Sequence, residues 1–232
     1  MESRHLIAAP RPSCFFEDDS TVSVLRRSAA EGVGTFLLMI SVVGSGLQKG
    51  SSPLSSSIAI SGSLIALILA FGAVSGGHFN PTITLVQWSR NQRRLDCTVG
   101  YVTAQILGSV AGGLVAGLMF DLTPGRPTCE PPTLSSLASE GIATFGLMTI
   151  VFCSTKSTSK FVGPFAVGLW LMGAIVSTPT GSIANPAVAI GLLATPGSAS
   201  VLAVLTFIMI QIASGSLAAQ ITSVFYPDPR RL

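Results

Sequence analysis

The chain has 232 residues, 48% of them hydrophobic and only 10% charged, with 13 Lys and Arg against 10 Asp and Glu. Soluble domains average about 25% charged residues, so this composition, with a mean hydropathy of +0.65, argues against an ordinary soluble enzyme, a disordered chain or a nucleic-acid-binding protein. The net charge of +3 is small, so where the charges fall matters more than their sum.

In chain order, residues 1–27 carry Glu17, Asp18, Asp19, Arg26 and Arg27 and no continuous apolar core. They read as a polar tail without the apolar stretch of a cleavable signal peptide. Apolar runs follow at about 29–48 and 57–76, each near the roughly 20 residues a helix needs to cross a bilayer. The next apolar stretch, about 80–88, is too short to span and opens on Asn80-Pro81-Thr82. Asn is a favourable N-cap and Pro fits the first helical turn, where its missing N–H costs nothing, so a half-helix is expected there. A third long run covers about 98–120, and residues 121–133, with Pro124, Gly125, Pro127, Pro131 and Pro132, read as an extended loop. The pattern then recurs: runs at about 135–154 and 161–179, a short stretch at about 185–194 opening on Asn185-Pro186-Ala187, a last run at about 199–222, and a polar tail 223–232. The expected fold is an all-α multi-pass membrane protein, with six transmembrane helices and two re-entrant half-helices in one domain over 28–222.

Eleven of the 13 basic residues (Arg4, Arg11, Arg26, Arg27, Arg90, Arg93, Arg94, Lys156, Lys160, Arg230 and Arg231) fall on one side of this arrangement, and Lys49 and Arg126 on the other. The bias of Lys and Arg toward cytoplasmic segments predicts both termini inside.

The chain repeats itself, over about 28–120 and 135–222. Ala30-Glu31-Gly32-Val33-Gly34-Thr35-Phe36 returns as Ser139-Glu140-Gly141-Ile142-Ala143-Thr144-Phe145, an offset of 109; Asn80-Pro81 returns as Asn185-Pro186, an offset of 105; Gln105 returns as Gln211, an offset of 106. Each half holds an odd number of spans, so the second enters from the opposite side: an inverted repeat, which places a permeation or binding site at the bilayer midplane. Glu31 and Glu140 are the acidic groups inside spans. A charge there is costly unless paired, and its equivalent placement in both halves favours a carboxylate that accepts bonds from the re-entrant loop over a proton relay. His78 is read as a third brace of the first loop, ahead of a pH gate, and Gln105 and Gln211 as interhelical or loop bonds. Cys14, Cys97, Cys129 and Cys153 have neither zinc-ligand nor CxxC spacing, so no metal, cofactor or disulfide framework is expected.

Two Asn-Pro motifs at matching places in an inverted repeat, the run Ser75-Gly76-Gly77-His78-Phe79-Asn80-Pro81, and Tyr101-Val102-Thr103-Ala104-Gln105 resemble the aquaporins, the major intrinsic protein family. The resemblance covers about residues 28–222. It implies one pore per subunit of a homotetramer in a lipid bilayer, passing water and small uncharged solutes, with no enzymatic activity. Two departures stand out: Thr82 follows the first Asn-Pro, and Val188 follows the second motif where most members carry arginine. Carried over without gaps, the family's selectivity filter falls on Ile60, Gly173, Ser182 and Val188, with Ala59 and Ala174 as the alternatives if the register shifts by one. Such a filter is wider and more apolar than that of a water-selective member, so glycerol, urea, ammonia, hydrogen peroxide or neutral metalloid acids join water as candidate solutes. Thr82 reads as a tolerated change, ahead of the alternative that its hydroxyl bonds back to the local backbone or slightly narrows the vestibule. Gly108, Gly112, Gly113 and Gly117 form overlapping small-xxx-small patterns in the third span, a face suited to close helix approach. The competing functional class is a membrane protein of this shape with a structural or regulatory role and little flux.

Overall fold

The computed structural model describes residues 14–19, 21–197 and 199–226. The readings of Arg4, Arg11, Arg230 and Arg231, and of the outer parts of both tails, lie outside them. The described residues form eight α-helices: α1 Val24–Leu47, α2 Pro53–Ser75, α3 Pro81–Ser89, α4 Leu95–Met119, α5 Leu134–Ser154, α6 Val162–Ser177, α7 Pro186–Gly191 and α8 Val201–Phe225. A 3₁₀ turn, Leu192–Ala194, continues α7. Helix α1 starts at Val24, and α8 runs on to Phe225. Both therefore extend a few residues into what sequence alone assigns to the tails.

Five of the eight, α1, α2, α4, α5 and α8, are long and apolar enough to cross a membrane. The fifth expected span, α6, has 16 helical residues, about 24 Å at 1.5 Å per residue. Local sequence sets the starts. Ser23, Ser52, Thr133 and Ser200 cap α1, α2, α5 and α8 by accepting a backbone N–H in the first turn. At Ser52 the bond is reciprocal, since Ser55 caps back, a capping box that satisfies two otherwise orphan donors.

The packing reproduces the repeat. In each half the first helix packs on the second and on the last, α1 with α2 and α4, α5 with α6 and α8, and the halves meet where α2 packs on α6. The half-helices cross between halves: α7 lies on α4, and α3 on both α4 and α8. The glycine face of α4 accounts for two of these approaches. A Cβ on Gly108 would sit 2.2 Å from the Gly32 carbonyl oxygen of α1, and one on Gly112 2.5 Å from that of Phe36. Gly113, one residue on, faces the end of α7, where its Cβ would lie 3.0 Å from the Gly191 carbonyl oxygen. The loop 121–133 is tied down at that end of the molecule, with Gly125 N donating to the Thr195 carbonyl at 2.8 Å and Thr128 bridging Ser200.

Candidate functional site

Each half-helix starts where sequence places it. Asn80 and Asn185 are the N-caps and Pro81 and Pro186 the first helical residues. The Asn80 side-chain oxygen accepts from Thr82 N at 2.9 Å, and that of Asn185 from Ala187 N at 3.0 Å and Val188 N at 3.4 Å. The amide nitrogens do a second job. Asn80 Nδ2 donates to the Ala184 carbonyl at 2.8 Å and Asn185 Nδ2 to the Phe79 carbonyl at 2.9 Å. Each loop is thus tied to the other by its own asparagine, and each amide, with two N–H donors, keeps one beyond this tie.

The ties need both loops in an unusual conformation. Phe79 and Ala184, whose carbonyls receive the bonds, have φ of +49° and +45°; Gly77 and Ser182, two residues earlier, have +65° and +56°; Gly76 and Gly181 have +93° and +68°. Left-handed backbone is costly for residues with a Cβ and persists only where its surroundings over-determine it. The two glutamates supply that constraint. Glu31, fully buried, accepts from His78 N at 2.9 Å, Phe79 N at 2.6 Å, the Ser75 hydroxyl at 2.6 Å and Gln105 Nε2 at 2.8 Å. Glu140, also fully buried, accepts from Ile183 N at 3.0 Å, Ala184 N at 2.9 Å, the Thr180 hydroxyl at 2.5 Å and Gln211 Nε2 at 2.8 Å. A carboxylate with four donors on each side of the repeat avoids the penalty of an unpaired buried charge. His78 joins the first loop alone: its Nδ1 lies 2.9 Å from the Thr84 hydroxyl and its Nε2 3.0 Å from the Phe15 carbonyl. A carbonyl only accepts, so Nε2 carries the proton.

Beside the crossed asparagines lies a cavity of about 250 Å³. Aliphatic side chains from both halves wall it, including Leu38 and Leu64 from the first and Leu147, Val167 and Leu171 from the second, with Asn80, Asn185 and loop residues 180–184 along one side. Ile60, Ser182 and Val188 all line it. The Ser182 hydroxyl has no protein partner.

One expectation is corrected, and one alternative falls away. Gly173 does not line this cavity: it lies on the exposed face of α6, beside a shallow pocket between α5 and α6. Two residues are about 200° of helical rotation, so the cavity-facing position is Ile175, which continues the line of Val167 and Leu171. The four-residue spacing of Val167, Leu171 and Ile175 was the signal in the sequence that marks this face. Thr82 neither narrows the cavity nor bonds the backbone: it is fully buried, its hydroxyl has no partner, and its methyl packs where Gly215 of α8 leaves room, 2.5 Å from the place a Cβ there would take. A residue that sequence reasoning missed altogether is Phe15, which lines the cavity from the segment before α1.

Two half-helices held together at their N-caps beside an apolar cavity, within a bundle of helices long and apolar enough to cross a membrane, have the makeup of a membrane channel. The model of the major intrinsic protein family matches residues 18–191, and the chain belongs to that family: it is an aquaporin- and aquaglyceroporin-type channel protein and not an enzyme. It is 38% identical over 174 residues to the aquaglyceroporin AqpS of Rhizobium meliloti (strain 1021), covering 71% of this chain and 74% of that one. It is 35% identical over 188 residues to aquaporin-5 of Mus musculus, covering 74% and 70%. Among solved structures, the aquaglyceroporin from Plasmodium falciparum superposes with a TM-score of 0.69 at 18% identity, over 90% of this chain and 97% of that one, a likeness of fold.

Proposed function

We propose that the protein is a passive pore for water and small uncharged solutes, wide and apolar enough to admit glycerol, with urea, ammonia, hydrogen peroxide and neutral metalloid acids in the same class. The observation that carries this reading is the makeup of the cavity wall. Ile60, Ile175, Val188 and Ser182 line it together and its lining holds no Lys or Arg, so a filter built from these four presents one hydroxyl and three aliphatic side chains and no fixed cation. The solute gives up solvent hydrogen bonds there and recovers some from the Ser182 hydroxyl and from the free N–H groups of Asn80 and Asn185. The N-termini of α3 and α7 point partial positive charge at the same place, which disfavours protons and other cations. Named relatives called aquaglyceroporin and aquaporin both fit this reading. The subunits are proposed to assemble as a homotetramer with both termini cytoplasmic.

Reconstitution into liposomes tests it, with shrinkage assays for water, glycerol and urea beside a proton-sensitive dye. The expected result is water and glycerol flux well above empty liposomes. Val188→Arg adds bulk and a cation to the narrow part and is expected to lower glycerol permeability by about tenfold, an extra barrier of about 1.4 kcal/mol, with water less affected. Unchanged solute preference in that variant would remove Val188 from the filter. Folded protein without flux of any solute would favour the structural role.

A further inference from the structure

Phe15 is out of place for a residue of a polar tail. It is 3% exposed, sits in left-handed backbone with φ +65°, and lines the same cavity as Asn80 and Ile60. Its two ends touch different walls. The carbonyl accepts from His78 Nε2 and from Gln87 Nε2, both at 3.0 Å, and lies 2.9 Å from where a Cβ on Gly76 would sit. The ring reaches the start of α6, where a Cβ on Gly163 would lie 3.0 Å from its Cε2. One residue therefore spans from the α2–α3 loop to α6, at the end of the cavity where α2 finishes and α6 begins. Glycine at 76 and 163 is what lets it in.

The segment around Phe15 is fastened on both sides. Glu17 accepts from Arg27 of α1 with one oxygen and from Arg93, before α4, with the other at 3.1 Å. Asp18 N donates to the Ala73 carbonyl of α2 at 2.9 Å, and its carboxylate pairs with Lys160 ahead of α6. The Cys14 thiol contacts the Ser159 carbonyl at 3.4 Å. An aromatic ring held across an apolar passage narrows it and makes it harder to wet.

We propose that Phe15 forms a second constriction of the pore, at the opposite end from Ser182 and Val188, so that the segment 14–19 limits what the channel passes. The inference rests on the channel reading above. Its test is the same liposome assay with wild type, Phe15→Ala, Phe15→Trp and Glu17→Gln, each shown to be monodisperse in detergent. Removing the ring is expected to raise glycerol permeability roughly threefold or more, and water permeability less, as for a pore limited by diameter. Phe15→Trp should lower both. Glu17→Gln does not touch the cavity but loosens the fastening to Arg27 and Arg93, and should shift permeability in the same direction as Phe15→Ala. Wild-type flux with the same permeability in all three variants overturns the inference and leaves the channel reading standing. Absence of flux from every form, including Phe15→Ala, overturns both. Flux only after the ring is removed supports Phe15 as a plug.

Discussion

Val188 and Ile175 line the cavity, and on the channel reading proposed above they are the residues proposed to set what passes. The first follows from a motif and the second from a helix face, and they call for different experiments. If the α6 wall is formed by Ile175, then Ile175→Ala opens the narrow part and should raise glycerol permeability severalfold over wild type in liposome shrinkage. Gly173→Ala, on the exposed side where a new Cβ meets nothing within 4 Å, should leave permeability within error. The opposite pattern would restore Gly173 to the filter. The two asparagines, the prolines after them, Ser182 and Val188 were legible in the sequence because each sits on a rigid motif whose local chemistry, an N-cap followed by Pro, fixes its position. Gly173 was misplaced because its position was counted across a loop, and loop length is what varies most between relatives.

At the scale of the element, the re-entrant loops are the costly part of the fold. Each holds three residues at positive φ, and each has its backbone donors gathered by one glutamate. That both glutamates serve loops of their own half was legible, because the repeat pairs them and an ionisable group at membrane depth needs partners. The loop conformations themselves were not. They depend on exchanges such as Phe79 against Gly34, where a Cβ on Gly34 would fall 2.0 Å from the ring, while the second half has the smaller Ala184 and can keep Ala143. Glu31→Gln keeps the shape but sets an NH₂ group against donors that now bond a carboxylate. The expected loss is about 2–3 kcal/mol, a thermal midpoint lower by roughly 5–10 °C in detergent. Glu140→Gln should cost a similar amount. A midpoint unchanged in either variant would mean that the loop does not depend on its carboxylate.

The whole molecule is two halves that hold each other's loops: Asn80 of the first bonds the second loop, and Asn185 of the second bonds the first. Its ends differ in charge. Arg27, Arg93 and Lys160 gather with Glu17 and Asp18 at the end where the segment before α1 packs, while the connections holding Lys49 and Arg126 lie between α1 and α2 and between α4 and α5. The packing of that first segment was hidden from pattern reading, because its anchors, Arg27, Arg93 and Lys160, are scattered along the chain and meet only in the folded bundle. The proposal that the Arg27–Arg93 end lies inside, drawn from charge bias, can be tested with native thiols. Cys129 is exposed in the α4–α5 connection, Cys14 and Cys97 are buried near the basic end, and Cys153 is partly buried at the end of α5. A membrane-impermeant maleimide added to intact cells should therefore label Cys129, with Cys129→Ser abolishing the signal. In sealed inside-out vesicles the same reagent should leave Cys129 unmodified until detergent is added. Labelling in the inside-out vesicles and not in cells would invert the orientation and place the Phe15 constriction at the outer mouth.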